Sequence, residues 1–375
     1  MGTHPNAGGR DEIRMKVLHV AESIWGGCGT YLNELLPLQF ETFGATNVRL
    51  LVPKEHVSML TNVAPEAIAT FRRPSRALGL LRLPLRLAET IKRFRPDVIH
   101  AHSTFAGAVV RLSVKPWTQT PNVVYCPHGW VFDTAGNALT RRLMQAAERI
   151  QSRRCAAIVS ISQAEKSAGE AAGIAADKLI LIPNGLQPSN LTNRLAAWDD
   201  TRTKVLFVGR LDRQKGVDVL IEALRNLQDS VCARIVGTSV LSSDAGPQNL
   251  PNVEYLGWLD QEAVASQINA CDVVVMPSRW EGFGLVAIEA MRAEKPVIAS
   301  AVGGLPEIVL DGVTGRLFPV GDSGALARHL TSHTREKLAQ MGRAGRDRFL
   351  SLYCIGKTHG QLVALYRAVG HRPRS

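Results

Sequence analysis

Aromatic residues are scarce in this 375-residue chain, only 6% of the total, and acids are outnumbered, 33 Asp and Glu against 44 Lys and Arg. No apolar run approaches the roughly 20 residues that a membrane-spanning helix needs, and no secretory signal is visible. The six cysteines, Cys28, Cys126, Cys155, Cys232, Cys271 and Cys354, are scattered, with no CxxC pair. That argues against a disulfide framework or a thiolate zinc site and suits a reduced, cytoplasmic protein. No Walker A sequence and no full GxGxxG occur, so P-loop and dinucleotide sites are poorly supported. No nucleic-acid module is recognisable, and the basic segments lack interleaved aromatics, so nucleic acid is not expected as a partner.

The net charge of +11 attracts phosphates or anionic lipid. Hydrophobic residues make up 45%, enough for full cores, and the length suits two domains. Residues 1–14 are polar and glycine-rich and read as a disordered leader. A myristoylation signal at Gly2 fails because residue six is Asn6.

Most of the information lies between Ser278 and Gly315. The run Val273-Val274-Val275-Met276 before it reads as a buried parallel strand. Gly282 and Gly284 turn the chain into a helix from about Leu285, stopped by Lys295-Pro296. A second strand, Val297 to Ser300, leads to Gly303-Gly304 and a helix opened by Pro306. Strand, glycine turn, helix, strand is the unit that binds phosphates at helix N-termini. Glu281 lies in the turn and Glu289 in the helix, a little over two helical turns on, so both can face one cleft. Carboxylates beside a phosphate site suit sugar hydroxyls better than the phosphate itself.

A similar rhythm runs along the whole chain. Met15 to Val20 is a strand, turning at Gly26-Gly27 into a helix from Thr30. Val48 to Val52 is a second strand. Arg72 to Arg95 is basic and leucine-rich, with Pro84 expected to break it into two short helices. With Arg82 and Arg86 on it, this segment reads either as an ordinary surface helix or as one lying on an anionic membrane. Asp97 to Ala101 is a strand whose His100 and His102 are placed at a polar cleft rim, too few for a metal site. Asn122 to Cys126 is a strand followed by His128-Gly129. Helices and strands continue to Pro183-Asn184-Gly185, a hinge. Lys204 to Val208 opens the second half, and Arg210 and Lys215 follow it on a turn. Two cations at the carboxyl end of a strand suit a pyrophosphate.

These words together, PSRWEGFGLVAIEAM, PVIAS, GGLPEIV and DGVTGRLF, with seven residues between Glu281 and Glu289, resemble the retaining glycosyltransferases of family 4. The resemblance extends from about Lys16 to Arg367. It implies an α/β GT-B fold: two Rossmann-like domains across a deep cleft, with a C-terminal helix crossing back. The expected division is 15–185 for the acceptor-side domain, 186–203 for a linker, 204–352 for the nucleotide-sugar domain and 353–375 for the crossing helix and tail. It implies catalytic roles for His128, Glu281, Arg210 and Lys215. Donor contacts are implied for Gly27, Arg210, Lys215, Glu281, Gly282, Phe283, Gly284, Leu285 and Glu289. In that reading Arg210 and Lys215 hold the diphosphate, Glu289 the ribose, Glu281 a sugar hydroxyl, and His128 the sugar near the reacting carbon. No DxD stands near the site, so no metal or other cofactor is implied. The implied donor is a UDP-sugar or GDP-mannose. The implied acceptor is a glycan or lipid-linked intermediate of a bacterial polysaccharide, which would place the protein on the inner face of the membrane. The alternatives are a small soluble acceptor, or a nucleotide-sugar epimerase of the same fold.

Overall fold

The computed structural model describes residues 15–61, 63–114, 121–134, 136–189, 191–238 and 250–370. The expected leader (1–14) and the last five residues of the tail lie outside them. The first half contains β1 (Val17–Ala21), α1 (Gly27–Phe43), β2 (Val48–Pro53), β3 (Ile68–Phe71), α2 (Arg76–Phe94) and β4 (Val98–His102). It continues with α3 (Thr104–Ser113), β5 (Asn122–Cys126), α4 (Ala138–Ser152), β6 (Ala157–Ser160), α5 (Gln163–Ala171) and β7 (Leu179–Leu181). The second half contains β8 (Thr203–Val208), α6 (Val217–Leu224), β9 (Val231–Val236), β10 (Val253–Gly257), α7 (Gln261–Ala270) and β11 (Val273–Met276). After these come α8 (Leu285–Arg292), β12 (Val297–Ser300), α9 (Leu305–Ile308), β13 (Gly315–Phe318), α10 (Ser323–Thr331), α11 (Arg335–Leu352) and α12 (Ile355–Gly370).

Among the described residues these strands form two parallel sheets, ordered β3-β2-β1-β4-β5-β6-β7 and β10-β9-β8-β11-β12-β13. Each sheet reverses its winding once, between β1 and β4 and between β8 and β11. Ligands of open α/β sheets bind beyond the strand carboxyl ends at such reversals. Alternation along the strands sorts the core. Leu18 and Val20 face one apolar cluster, Val17 and Ala21 another. In the second sheet Val205 and Phe207 face outward, while Leu206 and Val274 join the same central cluster as Val17. The two domains therefore share one apolar core.

The chain crosses between domains twice, and the crossings lie side by side. Leu186 pairs with Cys354, and Ile355 donates its amide to Leu186 at 2.8 Å. The Thr358 hydroxyl donates to the Pro183 carbonyl at 2.8 Å. The crossing helix α12 packs on α1, as expected, and Asn122 donates to its Val369 carbonyl.

Some expectations need correction. Pro84 does not break α2, which runs unbroken through it. Gly79, Leu83 and Leu87 form one buried stripe on both sides of the proline, and this packing outweighs the roughly 3 kcal/mol that an interior proline costs. β3 is an edge strand that the sequence reading did not identify. α1 begins at Gly27 rather than Thr30. His100 and His102 are not at a rim: both are fully buried.

Candidate active site

The second domain supplies the charged half of the site. Arg210 and Lys215 lie on the loop after β8, and Glu281 lies on the loop after β11, at the reversal between those strands. Lys215 Nζ donates to Glu281 Oε2 at 2.6 Å. Arg210 turns elsewhere, donating to Gln214 and pairing with Asp212 at 3.2 Å. The two cations therefore share a loop but do not point at one another's partner. Both loops need glycine. A side chain on Gly216, at φ 65°, would meet the Pro277 carbonyl oxygen at 2.0 Å. One on Gly303 would meet the Glu281 carbonyl oxygen at 1.7 Å. These close approaches set the loop after β8, at Gly216, and the loop after β12, at Gly303, against the loop that carries Glu281.

Glu289 sits on α8, and burial raises its pKa, opposed by the nearby Arg292 and Lys215 charges. Gly284, at φ 112°, forms the N-cap of α8, and Leu285 is its first residue. Phe283 does not present its ring to the cleft. It is 4% exposed and packs edge-on against Tyr353.

The first domain supplies the other wall. Gly27 opens α1, and a side chain there would touch Leu285 Cδ1 at 3.0 Å. The N-terminal ends of α1 and α8 thus abut across the domain boundary, and both favour negative charge. His128 and Gly129 follow β5 with successive positive φ angles of 53° and 104°. The left-handed region is unfavourable for histidine, so something must hold it there. Glu165 does: its carboxylate accepts from the Gly129 amide at 2.6 Å and the Ile161 amide at 2.7 Å. Burial pushes Glu165 up to about 7. A side chain on Gly282 would lie 3.1 Å from Gly129 Cα, so the two backbones touch and His128 stands against the α8 turn.

Further contacts close the domains. The Ser162 hydroxyl donates to the Gly282 carbonyl at 2.8 Å. Glu307 accepts from the Gln163 and Ala164 amides, each at 2.8 Å, at the first turn of α5. Arg292 approaches Glu34 of α1 at 3.7 Å. Sequence reasoning missed Glu165, Glu307 and Glu34. Ser162 with Glu165 has the spacing of a capping box, a readable signal, but the partner amide of Gly129 is distant in sequence.

Arg82 and Arg86 lie away from this site, on α2. Arg82 is exposed; Arg86 donates to the Thr70 carbonyl and pairs with Glu89. Arg73 and Arg76, from the same basic stretch, turn inward to the buried Glu22 at 2.7 and 3.3 Å. Among the described residues, two groups have ring nitrogens or sulfur close enough for a metal ion, His19 with His100 and His102, and Cys28 with His102 and His128. In both groups, ring-to-ring hydrogen bonds already engage some of these atoms.

Two Rossmann-like parallel sheets have the GT-B architecture. Residues 193–348 match the family described as "Glycosyl transferases group 1", and residues 45–190 match "Glycosyltransferase Family 4". A protein of the Klebsiella pneumoniae cps region is 31% identical over 85% of this chain and 90% of its own length. A phosphatidyl-myo-inositol mannosyltransferase of Mycobacterium leprae is 37% identical over 41% of this chain and 44% of its own. HepE of Anabaena, solved with UDP and with UDP-glucose, shares the fold at a TM-score of 0.76. It is 22% identical, covering 94% of this chain and 100% of HepE. The chain belongs to glycosyltransferase family 4.

The buried imidazoles make stability depend on pH. Burial lowers His19 and His128 from 6.5 to about 4, and holds His100 and His102 well below their ordinary value. Unfolding therefore takes up protons below pH 6.5, and stability falls as pH drops through the folded values. The raised Glu165 opposes this between its ordinary value and about 7. Glu34, Asp133 and Glu289 are raised as well, but His56, His329, His333 and His359 are lowered beside the four core imidazoles, so the melting temperature is expected to fall from pH 6.5 to 4. Glu165→Gln should steepen that fall. A flat scanning-calorimetry profile over this range would show that the imidazoles are not held neutral.

Proposed function

We propose that this chain transfers a sugar from a nucleotide-diphosphate donor to an acceptor hydroxyl with retention of anomeric configuration. The observation that carries the reading is the Lys215–Glu281 pair beside the start of α8, opposite His128 across the Gly129–Gly282 contact. As the glycosidic bond breaks, negative charge grows on the leaving diphosphate and positive charge on the sugar ring. Lys215, Arg210 and the amides at Gly284 and Leu285 stabilise the diphosphate. In exchanging Glu281 for phosphate, Lys215 frees a carboxylate to accept a hydroxyl of the donor sugar. Glu289 takes the ribose hydroxyls, and His128 positions the sugar near the reacting carbon. No protein nucleophile is invoked: the departing phosphate helps to deprotonate the acceptor on the same face. The reaction requires no metal in this scheme.

The donor is a UDP-sugar or GDP-mannose. HepE in complex with UDP-glucose favours the first. The similarity to the cps-region protein favours a bacterial polysaccharide pathway. The acceptor is a lipid-linked intermediate on the cytoplasmic membrane face. No helix among the described residues is long and apolar enough to cross a membrane, so contact would be peripheral. On α2 the exposed Leu81 and Leu85, 72% and 74% accessible, flank Arg82 and Arg86. Helix α3 joins α2 to α4, which exposes Leu139, Leu143 and Ile150 beside further arginines. Leucines set among cations match an anionic bilayer. A small soluble acceptor would leave this surface without a partner. An epimerase would need acids or water placed for elimination, and the paired-Glu word around Glu281 and Glu289 argues against it.

Lys215→Ala and Glu281→Ala should each lower turnover by about 100-fold or more with the fold retained; normal rates in either would remove the site assignment. In a thermal-shift screen, one nucleotide family among UDP, GDP and ADP should raise the melting temperature, since a ligand at about a hundred times its Kd adds about 2.7 kcal/mol. EDTA should leave the rate unchanged, and strict metal dependence would refute the scheme. Arg82→Gln with Arg86→Gln should weaken sedimentation with phosphatidylglycerol vesicles and spare binding of nucleotide. Unchanged sedimentation would return α2 to an ordinary surface helix.

A further inference from the structure

A line of side chains runs from the cleft into the core behind His128. β1 and β4 pair in parallel, His19 opposite His100 and Ala21 opposite His102. Alternation puts His19, His100 and His102 on one face of the sheet. That face is covered by α1, which contributes Gln39, and by the crossing helix α12, which contributes Tyr366. Every one of these five side chains is fully buried or nearly so.

The hydrogen bonds form a single file. Gln39 Oε1 lies 2.6 Å from His19 Nε2. His19 Nδ1 lies 2.9 Å from His102 Nε2. His102 Nδ1 lies 3.0 Å from His128 Nε2. A neutral imidazole has one N–H and one lone pair, so the file has a direction, and its end sets that direction. The amide nitrogen of Gln39 lies 3.5 Å from the Tyr366 hydroxyl, and its carbonyl oxygen lies on the His19 side. A carbonyl accepts only. His19 therefore carries its proton on Nε2, His102 carries its proton on Nε2 and donates it to His19, and His128 donates from Nε2 to His102. His128 is left with a bare lone pair on Nδ1.

We propose that Gln39, His19 and His102 are positioning residues that fix the tautomer of His128 from within the core, so that Nδ1 accepts a hydrogen bond from a hydroxyl of the bound sugar. The inference rests on the reading of His128 as the residue facing the sugar. It adds a link between the domains: Tyr366, on the helix that returns from the nucleotide-binding side, orients the amide that starts the file. The low basicity of the buried rings keeps the file neutral near pH 7, which is the condition for each ring to carry one proton. Tyr366 also meets His100 Nδ1 at 2.6 Å, which holds its hydroxyl beside Gln39.

The test reads the tautomer directly, in the full chain without ligand, by long-range proton–nitrogen correlation on histidine labelled with nitrogen-15. His128 is assigned from the signal lost in His128→Asn. Its protonated nitrogen is expected to be Nε2. In Gln39→Met the tautomer should become mixed, and in Gln39→Glu, which keeps an acceptor oxygen, it should be retained. With UDP-glucose as probe, Gln39→Met should lower kcat for UDP release about tenfold or more, as a wrong tautomer does in other enzymes, with KM within about twofold. A proton on Nδ1 of His128 in the native chain, or an unchanged tautomer in Gln39→Met, overturns the proposal. Should Gln39→Met fail to fold, the native tautomer and His102→Phe decide. If UDP-glucose is not turned over while the tautomer is Nε2 and responds to Gln39, the file stands and the donor assignment falls.

Discussion

The constraint on which the proposed site depends is the contact of two glycine backbones, Gly129 and Gly282, across the domain boundary. A side chain on Gly282 would stand 3.1 Å from Gly129 Cα, tighter than an ordinary contact. Because the two backbones touch, the left-handed turn carrying His128 stands directly against the turn that opens α8. The features of the proposed site meet here: His128 from one sheet, and Glu281, Lys215 and the start of α8 from the other. The approach is held from both sides, by Ser162 donating to the Gly282 carbonyl and by Glu165 holding the Gly129 amide. A buried carboxylate costs free energy, and two amide hydrogen bonds at under 2.8 Å offset it. Glu165 thus keeps a strained backbone in place without touching the cleft chemistry.

The second domain solves a different problem. In the proposed reaction it must hold cations ready for a diphosphate without leaving them unpaired. Lys215 rests on Glu281, and Arg210 rests on Asp212 and Gln214. These pairings keep the loops ordered, and their partial exposure keeps them exchangeable, because ion pairs near solvent are weak. Preorganised charge of this kind needs little rearrangement when the leaving group develops its own.

Much of the site was legible before any coordinates. The βα rhythm comes from apolar runs punctuated by glycine, and the words around Glu281 and Glu289 carry local geometry that glycine alone permits. Gly303 and Gly216 show why: each sits where a side chain would strike a carbonyl oxygen at 2.0 Å or less. Other readings failed where a residue's fate depends on what covers it. Pro84 looked like a break because helix rules are local, whereas Leu83 and Leu87 anchor α2 through the proline. His100 and His102 looked like rim residues because a strand end is usually open, and here α1 and α12 close over it. Phe283 lies within the donor-binding words but packs on Tyr353, a residue seventy positions along the chain.

What the sequence by itself determined is therefore the alternation of elements, the two-domain plan and the loops that carry charge, since these follow from period, turn chemistry and short spacing. Only the tertiary structure decided which of those groups meet. The Lys215–Glu281 pair spans 66 residues, and Tyr366 meets His100 across 266. Pairings at such separations are set by how the sheets stack and how the last helix returns, and nothing in a local stretch encodes them. The same holds for protonation: a histidine's neutrality is a property of the surface it loses to water, and that surface exists only once both domains and α12 have packed together.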